Sequence, residues 1–188
     1  MRTGAEIIFY PLRRAINMKE GYFMGFFSKL FGKTEEINPN HVYAPMAGEA
    51  VSITEVPDPT FSEGMMGNGI AIKPTSGKVC SPVNGTVDMM FDTGHAVSLV
   101  SDSGIEILIH VGLETVGLNG APFKVHVKNG QKVRKGDILM EADLEAIQAA
   151  GLPTITPVLI CNTDDYPTFN TTTGKAVTNS DVVIELAK

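Results

Sequence analysis

The chain has 188 residues, 19 of them glycine and 11 proline, a formal net charge of −6 and two cysteines. That length allows one domain with a core of its own plus a short extension, and the glycines, prolines and short Val, Ile and Thr runs favour strands and tight turns over long helices. Residues 1–33 carry six Lys or Arg against two Glu, so the remainder holds −10; an acidic body speaks against nucleic-acid binding and for a docking partner with a basic face.

In chain order, the first feature is "MGFFSKLFGK", Met24 to Lys33. Phe26, Phe27, Leu30 and Phe31 recur at helical spacing with Lys29 and Lys33 opposite, a short amphipathic helix suited to weak, transient contact with an anionic membrane surface. Just before it, codons for Lys19, Glu20 and Gly21 can spell a bacterial ribosome-binding site. Met24 is therefore expected to be the true start, with residues 1–23 untranslated, and residues 1–40 read as an N-terminal extension to a domain of residues 41–188. No apolar run reaches the roughly 20 residues that cross a bilayer, and "AEIIFYPL" is too short for a signal peptide, so a cytoplasmic protein is expected.

The body then repeats itself. "VYAPMAGEAV" (Val42–Val51) returns as "VCSPVNGTVD" (Val79–Asp88), and "GNGIAIKPTSG" (Gly67–Gly77) echoes in "GHAVSLVSDSG" (Gly94–Gly104). Two unequal offsets inside one short domain predict two intertwined β motifs closing one sandwich. Further on, "KNGQKVRKGDILMEAD" (Lys128–Asp143) reads as turn, strand, turn, strand, and "ADLEAIQAAGL" (Ala142–Leu152) as the one good helix of the body, stopped by Gly151 and Pro153. Two strand-like runs, "TPVLICN" and "DVVIELAK", end the chain. Cys80 and Cys161 lie in apolar strand-like settings without metal or redox spacing and are expected to be buried free thiols.

Between these features lies "TGHAVSLVSDSGIEILIHVG", Thr93 to Gly112, which predicts a hairpin with a histidine near each end. If Asp102 and Ser103 form a two-residue loop, His95 lies directly opposite His110, with Thr93 on the same face. A three-residue loop ending at Gly104 shifts the pairing by one and places the rings on opposite faces. Paired imidazoles suit phosphoryl transfer: a neutral ring is a nucleophile near neutral pH, its neighbour donates to the arriving oxyanion, and catalysis rests on positioning. Zinc is the competing use, yet two histidines fall short of the usual ligand set. His126 reads as an exposed strand residue and His41 as a linker residue just before the fold.

Together, "APMAGEAV", "VPDPTFSEGMMGNGIAIKP", "SPVNGTV", "FDTGHAVSLVSDSGIEILIHVGLETV" and "GQKVRKGD" make Tyr43–Lys188 resemble the glucose-class enzyme IIA of the bacterial phosphoenolpyruvate-dependent sugar phosphotransferase system. The resemblance implies an all-β antiparallel sandwich or barrel with a duplicated hybrid motif and one or two short helices. It implies that His110 accepts a phosphoryl group from the phosphohistidine of the carrier HPr and passes it to a cysteine of a sugar-specific IIB domain. His95 would steady that group with help from the Thr93 hydroxyl, in a reaction that needs no cofactor. It further implies docking through Phe61, Met65, Met66, Phe91, Leu108 and Val116, with Asp58 and Glu114 meeting arginines of HPr. Glu114 stands where the family has the more familiar aspartate, and "DPT" at Asp58–Thr60 is less apolar than the family pattern. The alternatives from other classes are a lysostaphin-type zinc endopeptidase, whose H-x-H and H-x-x-x-D spacings are absent, and a biotinyl or lipoyl carrier, which lacks its lysine tip.

Overall fold

The computed structural model describes residues 37–188; the amphipathic helix expected at 24–33 and the start at Met24 lie outside them. Fourteen strands run through the described chain: β1 (His41–Tyr43), β2 (Gly48–Ser52), β3 (Asn68–Pro74), β4 (Lys78–Cys80), β5 (Gly85–Met90), β6 (Ala96–Ser101), β7 (Glu106–His110), β8 (Phe123–Val125), β9 (Lys132–Val133), β10 (Ile138–Ala142), β11 (Thr156–Ile160), β12 (Thr168–Thr171), β13 (Lys175–Val177) and β14 (Val182–Ala187). Two short helices interrupt them, α1 (Pro59–Ser62) and α2 (Leu144–Ala149). Both start on an aspartate whose carboxylate accepts from a backbone N–H of the first turn, Asp58 from Thr60 and Asp143 from Ala146, and α1 carries Pro59 at its first position. No described helix is long and apolar enough to cross a membrane.

All strand pairs are antiparallel. They form an eight-stranded sheet in the order β13-β2-β3-β11-β7-β6-β5-β9 and two three-stranded sheets, β1-β14-β12 and β4-β10-β8. Read from either end, the large sheet runs through equivalent strands, β13 with β9, β2 with β5 and β3 with β6, because the chain is built twice. Tyr43 N–H donates to the Pro82 carbonyl while Cys80 N–H donates to that of Pro45, and Tyr43 and Cys80, like Pro45 and Pro82, are equivalent residues of the first sequence echo. The second echo behaves alike: Thr75 N–H donates to Ala47 O, and Asp102 N–H to Asn84 O. A third correspondence escaped the sequence reading. Residues 173–186 match 129–142, so that Gly174 N–H to Ala50 O has its counterpart in Gly130 N–H to Val87 O, and Asp181 closes its turn on the Thr178 amide as Asp137 does on that of Arg134.

The main core lies between the large sheet and the two small ones, filled by Ile70, Ile72, Val97, Leu99, Ile107, Ile109, Val158 and Ile160 from the large sheet against Val42, Val79, Leu139, Met140 and Ile184. A second, smaller cluster occupies the other face, where Val51, Ala71, Ala96, Leu108 and Leu159 are covered by Ile53, Val56, Phe61 and Leu113. The central strands are therefore apolar on both faces, the reason "EILIH" lacks a two-residue alternation. His110 ends β7 on the side of the smaller cluster, two residues from Leu108.

Two expectations for single residues are corrected. His41 is the first residue of β1, paired with Glu185, rather than a linker. Cys80 is buried but Cys161 is exposed, since β11 ends at Ile160 and the chain leaves the core there.

Candidate functional site

The hairpin β6–β7 uses the shifted register: Ala96, not His95, lies opposite His110, and Val100 opposite Glu106, leaving a loop closed by Ser101 N–H to Ile105 O and Gly104 N–H to Ser101 O. Of the two registers the sequence leaves open, the one that pairs the two histidines directly is thus excluded. The inference that the shifted register separates the rings is overturned, since they meet with centroids 4.9 Å apart and planes 76° apart. Strand alternation governs only residues inside a strand, and β6 begins at Ala96. His95 belongs to the connection from β5, where Gly94 adopts a left-handed φ of +66° and turns the chain before the strand begins. A side chain on Gly94 would meet Val125 and Phe123, so the bend is packed in place. The ladder still reaches beyond the strand, since Val111 N–H donates to His95 O at 2.8 Å.

Four rings then stand in a row. Phe61 of α1 lies 5.2 Å from the His110 ring, His110 4.9 Å from His95, and His95 5.4 Å from Phe91, each pair tilted or edge-on, as aromatic quadrupoles prefer. His95 is 6% exposed, and His110 is half-buried.

The hydrogen bond to a carbonyl assigns the tautomer of His110. His110 Nδ1 lies 2.8 Å from the Gly112 carbonyl oxygen; a carbonyl only accepts, so Nδ1 carries the proton and Nε2 keeps its lone pair. His95 Nδ1 is hydrogen-bonded to Thr93 Oγ1. With the hydroxyl donating, His95 Nε2 carries the proton and becomes a donor. Electrostatics keep both rings neutral: burial, then the neighbouring His110, lowers the His95 pKa to about 4. Burial also lowers that of His110, opposed by its bond to Gly112 and by the charges of Asp58 and Glu114.

The apolar residues around the pair divide. Met65, Met66 and Val116 are 64%, 42% and 50% exposed, an accessible rim, and Phe91 is half-buried. Phe61 and Leu108 are buried in the smaller cluster and support the rings from below. Asp58 is half-buried as the α1 cap; Glu114 is exposed at the head of a 3₁₀ turn, Thr115–Leu118. The sequence reading missed Gly112 and Thr115. Gly112 takes a φ of +71° two residues after the end of β7 and supplies the acceptor for His110; a glycine at that spacing from a strand-end histidine is the only trace it leaves in sequence.

Among the described residues no three or more His, Cys, Asp or Glu side chains gather as a metal site. His126 is exposed just past β8, 2.6 Å from Glu141 Oε1.

Residues 40–166 match the family model described as phosphoenolpyruvate-dependent sugar phosphotransferase system, EIIA 1. The glucose-specific EIIA component of the Bacillus cereus phosphotransferase system is 46% identical over 158 residues, which span 84% of this chain and 96% of that protein. The namesake from Staphylococcus epidermidis is 42% identical over 159 residues, with the same coverage. The solved structure of glucose permease IIA from Mycoplasma capricolum superposes with a TM-score of 0.72 at 35% identity, covering 77% of this chain and 93% of that one.

Proposed function

Because the chain belongs to the EIIA 1 family of the phosphoenolpyruvate-dependent sugar phosphotransferase system and so is one of its phosphoryl carriers, we propose that His110 is the residue that carries the phosphoryl group. The observation that carries this reading is the Gly112 carbonyl on His110 Nδ1, which leaves Nε2 as the ring's nucleophilic atom, beside the edge of His95.

The transfer runs as follows. The Nε2 lone pair attacks the phosphorus held on the phosphohistidine of HPr, forming an N–P bond as the donor's N–P bond breaks and its imidazole leaves with the electron pair. His95 Nε2–H donates to an equatorial oxygen of the transferring group, and Thr93 holds His95 in the tautomer that can do so. In the second step the thiolate of a IIB cysteine attacks the same phosphorus and His110 leaves. Both neighbours act from fixed positions, so little reorganisation is needed. No cofactor enters either step.

Docking is proposed to use Met65, Met66, Val116 and Phe91 as the apolar contact, with Phe61 and Leu108 beneath it, and Asp58 and Glu114 as the acidic partners of arginines on HPr. The flexible methionines suit one face that meets two partners in turn. We place the protein in the cytoplasm, with the amphipathic stretch 24–33 making transient membrane contact near the permease, and the naming of the relatives makes glucose the first sugar to test. The zinc-peptidase alternative draws no support from the family match.

Incubation with labelled phosphoenolpyruvate, enzyme I and HPr, followed by mapping, should place the label on His110. His110→Gln should abolish it, and undiminished labelling of that variant excludes His110 as acceptor. His95→Gln should slow onward transfer to IIB by at least about tenfold, more than it slows acceptance; a normal onward rate removes His95 from the mechanism.

A further inference from the structure

The tautomer of His110 depends on one carbonyl, and that carbonyl sits in a segment held from several sides. The peptide that carries Gly112 O also carries the Leu113 N–H, which donates to Pro153 O at 3.0 Å. The preceding carbonyl, of Val111, accepts from the Thr115 hydroxyl at 2.7 Å. Thr115 is fully buried, and its methyl carbon lies only 2.7 Å from where a Cβ on Gly112 would stand. Its hydroxyl therefore grips the peptide on one side of Gly112 while its methyl packs against Gly112 itself. A buried hydroxyl without an acceptor is costly, so this bond resists any rotation that would carry the Val111 carbonyl away.

We infer that Thr115 is a positioning residue for phosphoryl transfer: it holds the Val111–Leu113 segment so that Gly112 O keeps the proton of His110 on Nδ1 and leaves Nε2 free. The inference rests on the assignment of His110 as the phosphoryl acceptor. The Thr115 side chain is fully buried, so it offers no contact to a docking partner, and a KM measurement separates its effect from docking. With the hydroxyl gone, the segment gains freedom, the Gly112 acceptor loosens, and the imidazole shifts toward the Nε2-protonated form, which has no lone pair at the reacting atom.

The test uses the full chain with ¹⁵N-labelled histidine, its ring nitrogens observed by NMR at pH 7.5 without any donor, alongside the kinetics of acceptance from phospho-HPr. Wild type and Thr115→Ser, which keeps the hydroxyl, should show His110 protonated on Nδ1. Thr115→Val, which keeps the methyl but not the hydroxyl, should show a growing Nε2-protonated fraction. Its kcat for acceptance should fall by about tenfold with KM for phospho-HPr unchanged. A folded Thr115→Val protein with the wild-type tautomer overturns the inference whatever its rate; should that variant fail to fold, Thr115→Ala, which differs from Thr115→Ser only in lacking the hydroxyl, is judged against it by the same spectra. Wild-type protein left unlabelled at His110 would overturn the acceptor assignment, and with it the catalytic part of the inference, while the tautomer measurement separately decides whether Thr115 holds the His110 proton on Nδ1.

Discussion

Glu114 adopts φ 58° and ψ 12°, a left-handed conformation that costs a side chain with a Cβ on the order of 1 kcal/mol and that Asn or Gly tolerates better. The residue is exposed, so packing does not force this choice, and its charge bears on His110. Strain held at such a position is the pattern of a residue kept for function. Glu114→Asn should therefore raise unfolding stability by roughly 0.5–1 kcal/mol in urea denaturation. It should also lower the His110 pKa further, because one of the charges favouring the imidazolium has gone, and an NMR titration of the ring reads that shift directly. A stability loss would contradict the backbone strain assigned to this residue, and a His110 pKa that rises would contradict the electrostatic role given to its carboxylate.

At the scale of elements, the two copies of the motif make a quantitative claim. Gly48 and Gly85 are equivalent, and a Cβ on either would stand 2.3 Å from an equivalent carbonyl, that of Lys73 or of Val100. Backbone cannot yield there without breaking the hairpins β2–β3 and β5–β6. Gly48→Ala and Gly85→Ala should each cost at least about 2 kcal/mol and agree within about 1 kcal/mol, whereas Gly117→Ala, with open space around it, should change little. Unequal penalties would mean the copies are packed differently where the geometry is the same. Much of this architecture was legible in the sequence, because "APMAGEAV" and "SPVNGTV" keep the proline and glycine that the motif's turn and close approach require. The third correspondence was not, since residues 173–186 and 129–142 share little beyond one Gly, Val, Asp and Glu, and only the repeated hydrogen bonds reveal it. The histidine pair shows the same limit. Residue types named the two rings, but their meeting depends on the bend at Gly94 and on the shifted register, and the carbonyl that assigns the tautomer depends on the backbone angle of Gly112, none of which residue type encodes.

For the molecule as a whole, the site sits on the outer face of the large sheet, over the smaller of its two apolar clusters, and this ties the charge of the histidines to global stability. Both rings are favoured neutral in the folded state, His95 with a pKa of about 4 and His110 with one below the ordinary histidine value of 6.5. The unfolded chain binds a proton on each near pH 6.5, so between that value and the folded pKa the unfolded state holds more protons, and stability rises with pH. The contribution is thus complete above pH 6.5 and is lost as pH falls toward about 4 for His95, with His110 adding to the loss as pH falls from 6.5 through its own lowered pKa. The slope approaches about 1.4 kcal/mol per pH unit for each histidine that titrates only in the unfolded state. Urea denaturation midpoints taken from pH 7.5 to 5 should fall steadily, before most carboxylates begin to titrate, and His95→Gln should flatten the curve by up to one proton's slope. A flat wild-type profile across this range would show that the rings charge in place, and the neutral nucleophile with its neutral donor would then lack the environment on which the proposed transfer depends.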